Sequence, residues 1–245
     1  MNNRGIALVS AVSAAVIAGA AGATDLVVEH VAEQRVVKAA TCKLKPTGSV
    51  SADLEGSFAG FHALTGDLGT VRVDADGVKR QGASVDVRAV LKDVTRQGGT
   101  GGGSAAVTVP YSELHKRLAS GSGAGSAGLG GMTVGSDGSA LTLTGSAGQL
   151  GLPVTVETSL TTAANSLTIT PTSVGVLGRD IPVGQLGSAP MAAGLADKLK
   201  PRTVKLDRLA AGAVLTSASA GTRGLVLHLS LGPGAGAAKS SGCSM

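Results

Sequence analysis

The sequence predicts an α+β protein dominated by antiparallel sheet, on three observations. Apolar and polar residues alternate in many short runs, one early segment instead repeats its apolar residues at helical spacing, and Gly-containing turns separate the runs. Alternation with one apolar side describes a sheet that has one face covered and the other wetted.

Taken in order, residues 1–23 read as a signal peptide or membrane anchor. Arg4 supplies a positive start, Gly5 to Ala23 carry no charge, and Ala21-Gly22-Ala23 has the small-x-small form of a cleavage site. The run is rich in Ala and Gly and therefore weakly apolar for a permanent span, so cleavage and retention both stay open. Either route places the remainder outside the cytoplasm. Residues 24–232 are then expected to form one domain, with 233–245 as a flexible tail.

Asp25 to Thr41 is expected to be a helix: Val28, Ala32, Val36 and Ala40 form one stripe, with Glu29 and Glu33 early and Arg35 and Lys38 late, as the helix dipole favours. Pro46 and Gly48 end it. Period two follows. Val71, Val73 and Ala75 alternate with Arg72, Asp74 and Asp76, and Val85, Val87, Ala89 and Leu91 alternate with Ser84, Asp86, Arg88 and Val90. Val107 and Val109, Leu141 and Leu143, Leu150 to Val156, Leu167 and Ile169, and Leu225 to Leu231 continue the series. Tyr111 to Leu118, after Pro110, makes two helical turns, and Met191, Leu195 and Leu199 stripe a further helix that starts at Ser188 and stops at Pro201. Residues 97–104 and 120–131 are Gly/Ser-rich and are expected to be loops without core.

Leu, Val, Ile and Phe make up 60 of 245 residues, enough for a folded body. Aromatics number three, Phe58, Phe61 and Tyr111. That scarcity argues against modules that stack bases on aromatic platforms, so no nucleic acid is expected as partner. A core of Val, Leu and Ala buries little area per side chain and leaves room for cavities. The net charge of +5 is spread out and suits anionic surfaces. Its denser parts are Arg35, Lys38, Lys43 and Lys45, and Lys198, Lys200, Arg202, Lys205 and Arg208. Such clusters attract lipid headgroups, although for each cluster taken alone helix-end complementation with a solvated face is the simpler account.

Cys42 and Cys243 lie near the two ends of the exported part, and in an oxidising compartment such a pair suggests one disulfide. Catalytic and metal motifs do not emerge. The four histidines are scattered, no Gly-x-Ser-x-Gly elbow exists, and no His pair stands four residues apart. Gly123-x-Gly125-x-x-Gly128 has dinucleotide spacing but neither a preceding strand nor a following helix. Asp74, Asp76 and Asp86 read as a solvated strand face. No enzyme, cofactor or metal is expected.

Phe58 to Leu64 concentrates two of the three aromatics. Around it, Ser49-Val50-Ser51-Ala52-Asp53-Leu54, Gly60-Phe61-His62-Ala63-Leu64-Thr65 and Gly69-Thr70-Val71-Arg72-Val73-Asp74-Ala75 follow one another. Val107-Thr108-Val109-Pro110-Tyr111-Ser112-Glu113-Leu114, Gly151-Leu152-Pro153-Val154 and Gly178-Arg179-Asp180-Ile181-Pro182-Val183 come later. In that order these segments resemble the actinobacterial LmeA-like phospholipid-binding family over about residues 25–232. His62 and Ala63 depart from it, standing where the family has Pro and a second aromatic. The resemblance implies a curved antiparallel sheet wrapped around the N-terminal helix, akin to tubular lipid-binding domains, with an apolar cavity for acyl chains. It also implies an exported envelope protein linked to phospholipid binding or lipoglycan assembly, and it brings no catalytic residues.

The expected partners are therefore a phospholipid or other acyl-chain lipid and the membrane surface. Val28, Phe58, Phe61, Leu64, Val71, Val73, Val85 and Val87 are the lipid-contact candidates, and Lys198, Lys200 and Arg202 the headgroup candidates. A surface-held interaction module without a ligand cavity is the alternative.

Overall fold

The computed structural model describes residues 30–31, 33–42, 44–55, 67–80, 82–95, 99–119, 132–147, 151–186, 199–206, 209 and 212–234. Within them the chain builds two antiparallel sheets and few helices. Residues 30–31, 33–42 and 44 are helical (α1). The strands of the first sheet are β1 (Val50–Glu55), β2 (Asp67–Arg80), β3 (Ala83–Thr95) and β4 (Gly102–Pro110), and, from the end of the chain, β11 (Ala213–Ala220) and β12 (Gly224–Leu231). They run in the order β1-β2-β3-β4-β12-β11.

Helix α2 (Tyr111–Ala119) leaves β4 directly and leads to the second sheet. That sheet holds β5 (Thr133–Ser136), β6 (Leu141–Ala147), β7 (Leu152–Ala163), β8 (Ser166–Val176), β9 (Arg179–Pro182) and β10 (Arg202–Lys205). Its order is β10-β8-β7-β6-β5, with β9 also on β8, and a single-turn helix α3 (Val183–Leu186) follows β9.

The period-two runs become strands because each has one face to bury. Leu54, Val71 and Ala75 are buried while Arg72 and Asp76, between or beside them, are exposed. Both sheets bend at bulges, between Ala75 and Val78 in β2, at Thr172 in β8 opposite Glu157 and Thr158, and between Leu215 and Ser217 in β11. At the first of these, Gly77 has φ +68° and its N–H donates to Asp86 Oδ1 at 3.1 Å. A Cβ there would press on Thr47 Oγ1, so the bulge requires glycine.

The sheets join at one corner. Leu215 N–H donates to Ala164 O (2.9 Å) and Thr162 Oγ1 to Thr216 O (3.2 Å). A shared cluster of Leu167, Leu215, Leu225 and Leu229 fills the angle. The second sheet's own core, with Val134, Val156 and Val174, is covered by Tyr111 and Leu114 of α2. Tyr111 Oη also donates to Gly221 O at 2.6 Å, which ties α2 to the β11–β12 turn.

One curved sheet was expected and two are found. Alternation identifies strands but not their partners, and α2 turns the chain away before β5 begins. The expected loop at residues 97–104 is strand from Gly102 onward, because Gly103 lies so close to Val90 O that only a residue without Cβ fits. Tyr111 to Leu118 is helical as expected. Helix α1 packs Val36 and Leu44 against β1–β3 at one end of the first sheet, which is contact with an end and not a sheet wrapped around it. Residues 1–23, the expected helix after Ser188 apart from its last residues, the loop at 120–131 and most of the tail lie outside the described residues.

Candidate functional site

The register of the first sheet lines up its apolar side chains in rows that cross the strands. One row is Ala52, Val73, Ala89, Ala105, Leu229 and Leu215. The next is Val50, Ala75, Val87, Val107, Leu227 and Ala218. The two ends of this face are covered. Val36 packs on Leu54, Leu68, Val71 and Val94, and Leu44 on Ala75, Val78, Ala83 and Val85. At the other end Leu160, Ile169, Leu206 and Leu209 pack on the shared leucine cluster. Between the covers Val73, Val87, Ala89, Val107 and Leu227 are only half-buried. From β2 to β12 this band crosses three strand spacings, about 14 Å.

The four candidates on this face separate by burial. Val71 and Val85 are buried within the covered clusters and serve packing, whereas Val73 and Val87 pack against the edges of those clusters and stay half-buried in the half-open band. Val28, Phe58, Phe61, Leu64 and Lys198 lie outside the described residues. Lys200 is exposed just before β10 and Arg202 is half-buried within it, opposite Ile169 of the covering cluster; both already engage partners. Ala89, Val107 and Leu227 were not singled out as site residues. Their alternation was legible, but register alone shows that they share the band.

The opposite, polar face of the same sheet carries a depression of about 740 Å³. Arg72, Asp74, Arg88, Ala106 and His228 line it, and Ala89 of the apolar rows borders it as well. Arg72 Nη2 meets Glu55 Oε1 at 2.6 Å, and Ser49 Oγ donates to Asp76 Oδ2 at 2.6 Å. Arg88 Nε lies 2.8 Å from Asp74 Oδ1, an ion pair whose angle is too poor for a hydrogen bond. These pairs neutralise part of the face locally. The described residues hold no group of three or more His, Cys, Asp or Glu able to take a metal. They also hold no helix long and apolar enough to cross a membrane.

Cys42 is described and is not free, while Cys243 lies outside the described residues, so their pairing stands as a proposal.

Comparison with known proteins gives one match: the family model described as LmeA-like phospholipid-binding fits residues 23–230, most of the chain. No curated protein and no solved structure matches.

Proposed function

The chain belongs to the LmeA-like phospholipid-binding family, and from that premise we propose that it holds the acyl chains of a phospholipid against the half-open band of its first sheet. The observation that carries this reading is the band itself: an apolar face covered at both ends and left partly exposed through Val73, Val87, Ala89, Val107 and Leu227. Exposed apolar surface is costly in a monomer, and an acyl chain laid across the strands would remove about 25 cal/mol of that cost per Å² covered. Lys200 and Arg202, beside the covering leucines at one end, are the described cations toward which a phosphate headgroup would point.

The protein acts in this reading as a binder and carrier of lipid, not an enzyme, and works outside the cytoplasm. Export is supported by the uncharged run from Gly5 to Ala23 that ends in Ala21-Gly22-Ala23. A non-enzymatic role is supported by the engagement of the polar-face carboxylates with Arg and Ser partners. Native mass spectrometry of the full chain purified from a lipid-bearing host tests the proposal. A co-purified phospholipid is the expected result. A lipid-free protein that also ignores anionic vesicles at low salt overturns it.

A further inference from the structure

At the far end of the second sheet, β8 and β9 are joined by the two-residue turn Leu177-Gly178, closed by the Val176–Arg179 pair. Both turn residues have positive φ, 51° and 78°. A hairpin turn of that hand selects Asn-Gly or Gly-Gly, since an L-residue with a larger side chain is strained there. Here the first position is leucine, 71% exposed. Among the described residues it is the one apolar side chain with positive φ; the other non-Gly positions are Lys45 and Asp93. The turn thus carries a conformational cost and a solvation cost together.

Its neighbours share the feature. The β7–β8 pairing begins at Val154–Val176, so the start of β7 lies beside this turn and brings Leu152 (37% exposed) with it. Leu152 continues outward the row of Val154 and Val156, which are buried in the second sheet's core. Arg179, on the same face as Val176, is exposed and forms no ion pair among the described residues. Asp180 points to the other face, over Gly175. Two protruding leucines with an unpaired guanidinium behind them match the layering of a lipid leaflet, acyl region outermost and phosphate just behind.

We propose that this turn is a bilayer-docking tip: Leu177 and Leu152 enter the acyl region of an anionic membrane while Arg179 meets lipid phosphates. The proposal does not rest on carriage of a lipid by the first sheet, and lipid co-purification is read separately.

The chain contains no tryptophan, so Leu177→Trp in the full-length protein introduces a single reporter. With vesicles of phosphatidylglycerol and phosphatidylcholine its emission is expected to shift to the blue and to be quenched by lipids brominated on the acyl chains. Val204→Trp is the control. Val204 is 45% exposed but pairs with Leu167, ten residues along β8 and about 33 Å from the turn, and its emission is expected to stay unmoved. Leu177→Asn suits the turn better, so it is expected to melt no lower than the wild type yet bind vesicles at least tenfold more weakly. Arg179→Gln is expected to reduce the dependence of binding on anionic lipid. An unmoved L177W spectrum overturns the proposal, as does wild-type vesicle binding by L177N. A blue shift that follows protein concentration without vesicles also overturns it, assigning the tip to a second copy of the chain.

Discussion

Ala89 and Ala106 offer a direct comparison of the two faces of the first sheet. Ala89 pairs with Val73 and Ala105 on the apolar face, is half-buried, and belongs to none of the covered clusters. Ala106 pairs with Arg88 and His228 and lines the polar depression. Leucine at position 89 adds three carbons to the open band. If an acyl chain lies there, about three of its methylenes are displaced, at about 0.8 kcal/mol each, or about 2.4 kcal/mol in all. That corresponds to an affinity loss of about fifty-fold. The added side chain enters half-open space, so the melting temperature of Ala89→Leu is expected to stay within a few degrees of the wild type. Ala106→Leu makes the same chemical change on the neighbouring strand, next to Ala89's partner Ala105 and toward the other face, and is expected to bind as the wild type does. Displacement of a fluorescent phospholipid, read beside thermal melts, measures both. Unchanged affinity in A89L together with loss in A106L would place the ligand in the polar depression and refute the assignment to the apolar face.

Two further perturbations test the scaffold. Val156 is fully buried at the centre of the second sheet, so Val156→Ala loses two methyl groups and leaves a cavity, a destabilisation of roughly 2–3 kcal/mol in denaturant unfolding; a change below about 0.5 kcal/mol would mean that the core is looser than its burial shows. Asp137 caps the β5–β6 turn, where its Oδ1 accepts from Ala140 N–H (2.7 Å), Ser139 N–H (2.8 Å) and Ser139 Oγ (3.0 Å), and these bonds hold its carboxyl below the ordinary aspartate value. A depressed folded value means that the stabilisation is complete above the unfolded value of about 3.9 and is lost as pH falls through the lower folded one. Asp137→Ala is therefore expected to be less stable than the wild type at neutral pH and to converge on it in acid; a constant difference down to pH 2 would count against the turn as its source.

The strands with strong contrast between neighbours were legible: β2, β3 and β12 alternate Val or Leu with Arg, Asp, His or Ser. Those left unread have little contrast or little length. In β11 the bulge between Leu215 and Ser217 shifts the phase, so that Ala213, Leu215, Ala218 and Ala220 share one face although their spacing is not two throughout, and β5 and β9 have four residues each. The β10 strand Arg202–Lys205 looked like part of a basic cluster, since two of its four residues are cations. Sheet membership was hidden for a different reason. A strand's apolar face says that something covers it but not what, and only pairing shows that β12 returns to β4 while β8 joins β7. The same limit split the site candidates. Val71 and Val73 are equivalent by alternation, and only the arrival of Val36 on one end of the sheet makes the first core and leaves the second half-open. The turn at Leu177 escaped notice because Val-Leu-Gly reads as the end of an apolar run until Val176 is seen to pair with Arg179.

Small side chains explain why such a band persists. Packed layers lie about 10 Å apart, a gap that long side chains bridge and that Ala and Val facing each other do not. At one end of the first sheet the covering elements bring leucines, Leu160, Leu206 and Leu209, which reach the leucines of β11 and β12 and close the gap. At the other end α1 comes close enough for Val36 and Leu44 to fill it. In the middle the sheet offers Val73, Ala89 and Val87, short side chains that stay half-buried, and the face stays half-open. A chain with three aromatics among 245 residues has few large side chains with which to fill such a space. The same scarcity of aromatics that argues against base stacking leaves this face with short side chains, on which the proposed acyl-chain site depends.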